Sequence, residues 1–236
     1  MSSSIPNRFV FGPVHAPTLK DRIANHVLEA ILTGGLPPGT RIVETQLAKQ
    51  MDVAQTSVRE ALQELVNQGL LIKRVNRDTL VRTLTLADLE KLFRLRVVLE
   101  GLAVELAHSN IMEKALEPLY ATVEQMRRAA RVKNIPEFYR YDMFFHKQLG
   151  ALAENEFLER ALVPLTVGPI AFVLAGSTAP LEGNYVQVAD DHTEILECFK
   201  EKTPQLARAV MEAKLRGWYQ LQFGGVSPKR GVDALV

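Results

Sequence analysis

"GLPPGTRIVETQLAKQMDVAQTSVREALQELVNQGLL", residues 35–71, opens on a Gly-Pro turn and carries two short runs of helical period that part near Met51 to Ala54. Leu47 and Met51 in the first run, then Val58, Leu62, Leu65 and Val66 in the second, supply the inward-facing positions of two helices. Working outward, the preceding residues carry an apolar stripe of Ile23, Val27, Ala30 and Ile31, with Thr18 as the cap of a further helix. Gly34-Gly35, followed by Pro37-Pro38-Gly39, stops that helix. On the other side, "LIKRVNRDTLVRTL", residues 71–84, sets β-branched and aliphatic residues around the polar turn Asn76-Arg77-Asp78, which predicts a small hairpin. Helix, helix, turn, helix, hairpin is the order of a winged helix-turn-helix.

In that arrangement the second helix of the turn pair enters the major groove of DNA, and its N-terminal residues reach base edges and phosphates. Here they are Gln55, Thr56, Ser57 and Arg59, placed ahead of the core-facing Leu62 and Leu65. A guanidinium at this place can pair bidentately with guanine or clamp a phosphate. The hairpin tip, with Arg77 and nearby Lys73 and Arg74, would lie on the backbone or the adjacent groove. Periodicity alone weighs equally a three-helix module that merely packs, with these polar residues on a solvated helix start.

From Thr85 onward the pattern changes to long helical periods. Helices are predicted over 86–107, 112–132, 135–153, 156–175, 183–201 and 204–222, with an interruption of the fourth at Pro164 and Pro169. Thr203-Pro204 makes the start of the last, threonine capping and proline at its first position. Six helices need a shared core, so the fold class is mainly α: an N-terminal winged helix-turn-helix with a small β-hairpin, then a C-terminal six-helix bundle. The division expected is a flexible tail over 1–15, the DNA-binding domain over 16–83, an effector-binding and dimerisation domain over 84–223, and a tail over 224–236.

The composition bounds what else the chain can be. Its 236 residues are 47% apolar and 23% charged, ordinary for a globular protein with a packed core. The single cysteine, Cys198, excludes an internal disulfide and a multi-cysteine zinc site, and fits a reducing cytoplasm. No apolar run approaches the ~20 residues of a membrane helix, so a cytoplasmic protein without a membrane partner is expected. Net charge is +1, and residues 1–80 hold nine Lys/Arg against seven Asp/Glu, a weak asymmetry that permits a local DNA-binding patch without demonstrating one.

Inside the third helix of the bundle, "YDMFFHKQLG", residues 141–150, puts Asp142 and His146 four apart, on one helix face with Phe138, Leu149 and Ala153. A carboxylate and an imidazole that point towards apolar neighbours need a partner. His192 falls on an apolar stripe with Val188, Ala189, Ile195, Leu196 and Phe199, so it too faces inward. By themselves such residues are more often hydrogen-bonded core groups than ligands.

The stretch from Gly35 to Leu71 strongly resembles the N-terminal domain of the GntR family of bacterial transcription regulators, through the Gly-Pro-Gly turn, "LA", "VREAL", "L" and "GLL" in order and at family spacing. The bundle is similar to the effector domain of the FadR subfamily (FCD type), so the likeness covers about residues 16–222. The resemblance implies DNA contacts at Thr45, Gln55, Thr56 and Arg59, with Asn76 and Arg77 in the wing. Two departures stand out: Ala54 and Gln55 replace a frequent Ser and Arg, and Asp78 stands where the wing commonly has glycine and where phosphate would repel an acid.

The same resemblance implies that Asp142, His146 and His192 belong to a divalent metal site of zinc or nickel type. Its usual third histidine is replaced by Lys214, which has no lone pair to offer. Three ligands and a water or an effector carboxylate can still hold an ion. Alternatively Lys214 stands in for the cation, pairing with Asp142 or with an anionic ligand, or it snorkels outward. Arg96, in "LFRLRVVLEGLAVELA", matches an arginine that faces the pocket and takes a carboxylate through its planar fork; read without the family, it is an i to i+4 surface pair with Glu100.

The function expected is that of a ligand-responsive regulator, a homodimer on a palindromic operator of double-stranded DNA, with a small organic acid as effector held by Arg96, Asp142, His146, His192 and Lys214. Two alternatives stand beside it: a metal-dependent helical-bundle hydrolase, for which no general base or nucleophile is placed by motif, and a DNA-binding protein with a degenerate effector site.

Overall fold

A computed structural model describes residues 18–74, 78–110, 113–176, 184–201 and 203–223. Three helices and a small sheet make the N-terminal head: α1 (Leu19–Leu32), β1 (Arg41–Ile42), α2 (Glu44–Met51), α3 (Gln55–Asn67), β2 (Leu71–Lys73) and β3 (Thr79–Val81). Thr18 caps α1 as its spacing predicts. Its hydroxyl accepts from Asp21 N at 3.2 Å while the Asp21 carboxylate accepts from Thr18 N at 3.0 Å, a reciprocal capping box. Gly34, at φ +79°, follows the helix end in the left-handed conformation that glycine adopts without a Cβ penalty.

The hairpin forms between β2 and β3, with Leu71 opposite Val81 and Lys73 opposite Thr79. The expected hairpin is joined by a third strand, β1, which pairs with β3 so that β3 lies at the centre. Two residues carry no period, so β1 is invisible to pattern. The wing positions Asn76 and Arg77 lie outside the described residues. The core of the head gathers Ile23, Val27, Ile31, Val58, Leu62, Leu65, Leu71 and Val81, with Leu47 and Met51 half-buried at its edge.

The bundle follows as α4 (Leu86–Asn110), a 3₁₀ turn (Glu113–Leu116), α5 (Glu117–Arg131), α6 (Ile135–Ala151), α7 (Glu156–Gly176), α8 (Tyr185–Glu201) and α9 (Pro204–Phe223). The long α4 lies against α6, α7 and α9, while α5 packs on α6 and α8. Phe93, Val97, Val104, Leu119, Met126, Phe138, Phe145, Leu149, Leu196 and Met211 fill the space between them. The interruption expected at Pro164 and Pro169 does not occur, and α7 runs unbroken through both. A proline removes one helical hydrogen bond, and here packing against α4 and α6 holds the helix together through the loss.

Head and bundle meet along a seam. Leu32 at the end of α1 joins the core of the bundle, and Arg140 on α6 lies 3.8 Å from Glu29 on α1. Gly69, at φ +77°, has Pro164 so close that an added Cβ would meet the proline ring at 3.1 Å. Beside that contact a cavity of about 390 Å³ opens between Asn25, Leu28 and Glu64 of the head and Tyr141, Phe144 and Lys147 of α6.

Candidate functional site

The polar N-terminus of α3 is presented as the helix-turn-helix pattern requires. Thr45, Gln55, Thr56 and Arg59 are exposed and Ser57 is half-buried, while Val58 and Leu62 on the opposite side are buried in the head. Ala54, at the N-cap, offers no side chain to the first amides of α3. The feature that pattern missed is Glu44, the first residue of α2: its Oε2 accepts from Arg59 Nε at 3.0 Å and from Gln55 Nε2 at 3.3 Å. Partial burial works against the Glu44 charge, but these bonds outweigh it and hold the carboxyl below its usual range. Glu44 thus ties the two longest side chains of the reading surface into fixed positions. In the wing, Asp78 is engaged by Arg41 of β1 at 2.7 Å, so its charge is offset.

The second constellation lies deep in the bundle. Asp142 and His146 project from α6 and His192 from α8, all buried. Asp142 Oδ1 stands 3.1 Å from His192 Nε2 and 3.7 Å from His146 Nε2, and the two Nε2 atoms are 3.3 Å apart. His192 Nδ1 lies 2.7 Å from Val188 O. A carbonyl only accepts, so Nδ1 carries a proton, and Nε2 is the atom that meets Asp142, by donating a second proton to it or by offering a lone pair to an ion between them. Phe145 packs edge-on against both imidazoles at centroid distances of 5.4 and 4.6 Å, fixing their planes.

Arg96 sits behind this cluster and is buried with it. The i to i+4 pairing with Glu100 forms, yet as a buried pair instead of the surface decoration the spacing alone suggests: Arg96 Nε donates to Glu100 Oε1, and both side chains are 3% exposed. The other oxygen of Glu100 rests against His146 Nδ1. Burial raises the Glu100 carboxyl, but Arg96 and His146 overcome that and take it down to about 2. The Asp142 carboxyl follows the same logic: burial is outweighed by His146, His192 and Arg96, leaving it at about 2. Both are carboxylates at neutral pH.

Lys214 of α9 lines the same cavity, a small space of about 30 Å³ shared with Arg96, Asp142, His146, His192 and Trp218. It does not pair with Asp142, as the alternative reading had it. Its Nζ lies 2.6 Å from Asp191 Oδ1 and 2.6 Å from Glu194 Oε2, both on α8. Burial lowers the Lys214 pKa and these two carboxylates more than reverse it, so the amine is a firm cation at the mouth. Asp190, the sequence neighbour of Asp191, is taken by Arg127 of α5 at 2.8 Å.

Residues 19–81 match the bacterial regulatory proteins of the gntR family, and residues 91–217 match the FCD domain. The chain is 31% identical over 220 residues to the probable D-xylose utilization operon transcriptional repressor of Paenarthrobacter nicotinovorans, covering 93% of this chain and 94% of that one. It is 24% identical over 189 residues to the gluconate operon transcriptional repressor of Bacillus licheniformis, 78% of this chain and 77% of that one. Among solved structures it shares its fold with E. coli McbR/YncC, at a TM-score of 0.72 and 21% identity over 88% of this chain and 98% of that one. Family and relatives are transcription regulators, which closes the hydrolase alternative. The chain belongs to the GntR family of bacterial transcription regulators and carries an FCD effector domain.

Proposed function

We propose that this regulator acts as a cytoplasmic homodimer on a two-fold-related operator, and that Asp142, His146 and His192 hold a divalent metal at which a small carboxylate effector is received. The observation that carries the metal is the spacing of the three ligand atoms. Bonds of about 2.0–2.1 Å at tetrahedral angles hold ligand atoms about 3.3 Å apart, whereas an octahedral ion brings neighbours to about 2.9 Å. The three separations here are 3.1, 3.3 and 3.7 Å, within reach of a single ion of zinc or nickel type.

Charge points the same way. With neutral imidazoles, the charged lining residues Arg96, Lys214, Asp142 and Asp191 cancel, and Glu100 and Glu194, paired with Arg96 and Lys214 from behind, leave the surroundings negative. A centre walled by the Asp142 carboxylate, with Glu100 behind it, receives an anion more readily when a cation is present. When bound, the metal supplies a Lewis-acidic position for an anionic ligand. The chain's own part is to hold the ligand atoms in place, to exclude water, and to offer the Arg96 guanidinium nearby. About 30 Å³ has room for little more than a water beside the ion, so an effector must part Lys214 from Asp191 and Glu194 on entry.

DNA reading is assigned to Thr45, Gln55, Thr56, Ser57 and Arg59, with Asn76 and Arg77 in the wing, and to two heads, since one recognition helix spans only a few base pairs. Leu95 and Val98, 56% and 50% exposed and three residues apart on α4, offer an apolar patch to the second copy. The expected two-domain division near residues 83 and 84 belongs to this reading. Two relatives are named as repressors of D-xylose and gluconate operons, which supports repression and makes hydroxycarboxylates the first acids to test. The test is protection of the operator by the zinc-loaded protein with and without such acids. Protection that responds to an acid only when metal is present supports the reading; protection indifferent to every acid supports a degenerate effector site.

A further inference from the structure

We infer that Glu100, held by Arg96, is a positioning residue that fixes which nitrogen of His146 carries its proton, and therefore whether that ring can serve as a ligand. The metal half of this inference rests on the reading above; the tautomer half does not.

Arg96 and Glu100 stand one turn apart on α4, and His146 faces them from α6; all three side chains are 3% exposed. Arg96 Nε donates to Glu100 Oε1. Glu100 Oε2 and His146 Nδ1 are in contact, and neither atom has another hydrogen-bond partner among the described residues. A guanidinium has donors only, so the oxygen facing Arg96 is committed as an acceptor. A carboxylate can accept at both oxygens, and a proton on Nδ1 is the one arrangement that satisfies Nδ1 and Oε2 together. In that tautomer Nε2, which faces His192 Nε2 and Asp142 Oδ1, is left free of its own proton, so these three atoms are joined by a metal or, without one, by a further proton shared among them. A metal-binding imidazole is commonly oriented through its other nitrogen in this way.

An inversion follows for the amide variant. Glu100→Gln preserves shape but leaves one acceptor and one donor. Arg96 can face only the acceptor, so the amide nitrogen must face His146 Nδ1. A proton there would oppose it, and His146 transfers its proton to Nε2. The ring now donates to Asp142 or His192 and no longer offers a lone pair to a metal. Replacing Arg96 as well, in Arg96→Gln/Glu100→Gln, removes the constraint. The amide introduced at position 96 can donate or accept, the one at position 100 can turn its carbonyl to Nδ1, and the original tautomer becomes available again.

The experiment is ¹⁵N nuclear magnetic resonance of histidine-labelled full-length protein, metal-free, at pH 8.5, beside zinc titrations of the same samples. Expected are the Nδ1–H tautomer of His146 in wild type and the Nε2–H tautomer in Glu100→Gln. Zinc affinity should fall on the order of 10–100-fold in the single variant and largely recover in the double variant. An Nε2–H tautomer in wild type, or an unchanged Nδ1–H tautomer in Glu100→Gln, overturns the inference. If Glu100→Gln does not fold, the wild-type spectrum alone decides. A switch of tautomer with no zinc bound by any variant sustains the positioning role and sinks the metal reading.

Discussion

Lys214 Nζ stands 2.6 Å from Asp191 Oδ1, across the mouth of the cavity that Asp142, His146 and His192 close from within. With Glu194 on its other side the ammonium is neutralised in place, one helix clasping the next. The cation therefore guards the site without itself occupying its centre. Lys214→His exchanges that charge for a neutral ligand on the same wall. Zinc affinity, measured by calorimetry, should rise at least about tenfold. An unchanged affinity would place residue 214 beyond the reach of the ion.

Arg59 is held ready by Glu44 in the free protein. Breaking that bond on DNA exchanges one charged partner for another, so the contact to DNA sets the outcome. Arg59→Ala should weaken operator binding by about 1–3 kcal/mol if the guanidinium reads a base, and mainly reduce the salt slope if it holds a phosphate. Titration of labelled operator at several salt concentrations separates these, and unchanged binding by the folded variant removes Arg59 from the contacts.

Leu95 and Val98 lie in the open on α4. If the second copy covers them, the double substitution Leu95→Glu/Val98→Glu should convert a dimer to a monomer in sedimentation at micromolar concentration, without loss of helical signal. A dimer that survives both charges would move the interface to another face.

Acid should destabilise the effector domain. Glu100 and Asp142 are depressed from 4.5 and 3.8 to about 2, so the stabilisation they provide is complete above their ordinary values. It is lost as pH falls through those values towards 2. Denaturant midpoints of the metal-free protein should decline below about pH 4.5, and Asp142→Asn should flatten part of that decline. Midpoints level down to pH 2 would mean that these carboxyls have no such partners in solution.

Much of this fold is legible in the chain itself. Thr18, Gly34 and the stripe through Ile31 write α1 plainly, because capping and period act within a few residues. Asp142, His146 and His192 are readable as inward-facing for the same reason, and they converge. Less visible are features decided by distant packing. β1 is two residues long and exists through its pairing with β3. Pro164 and Pro169 break a helix in isolation and are tolerated where neighbours hold it. Glu100 looks like a surface partner of Arg96, since an i to i+4 spacing says that two side chains meet and not which way they face. Glu44, remote from Arg59 in the sequence, gives no local signal at all.

The metal centre is tested most directly by titration of zinc into metal-free protein by calorimetry, with Asp142→Ala beside it. One ion should bind per chain, with affinity lost by at least about a hundredfold in the variant, since one of three ligands and its charge are removed. Absence of stoichiometric zinc binding in wild type, or binding that Asp142→Ala leaves intact, would contradict the assignment of Asp142, His146 and His192 as its ligands.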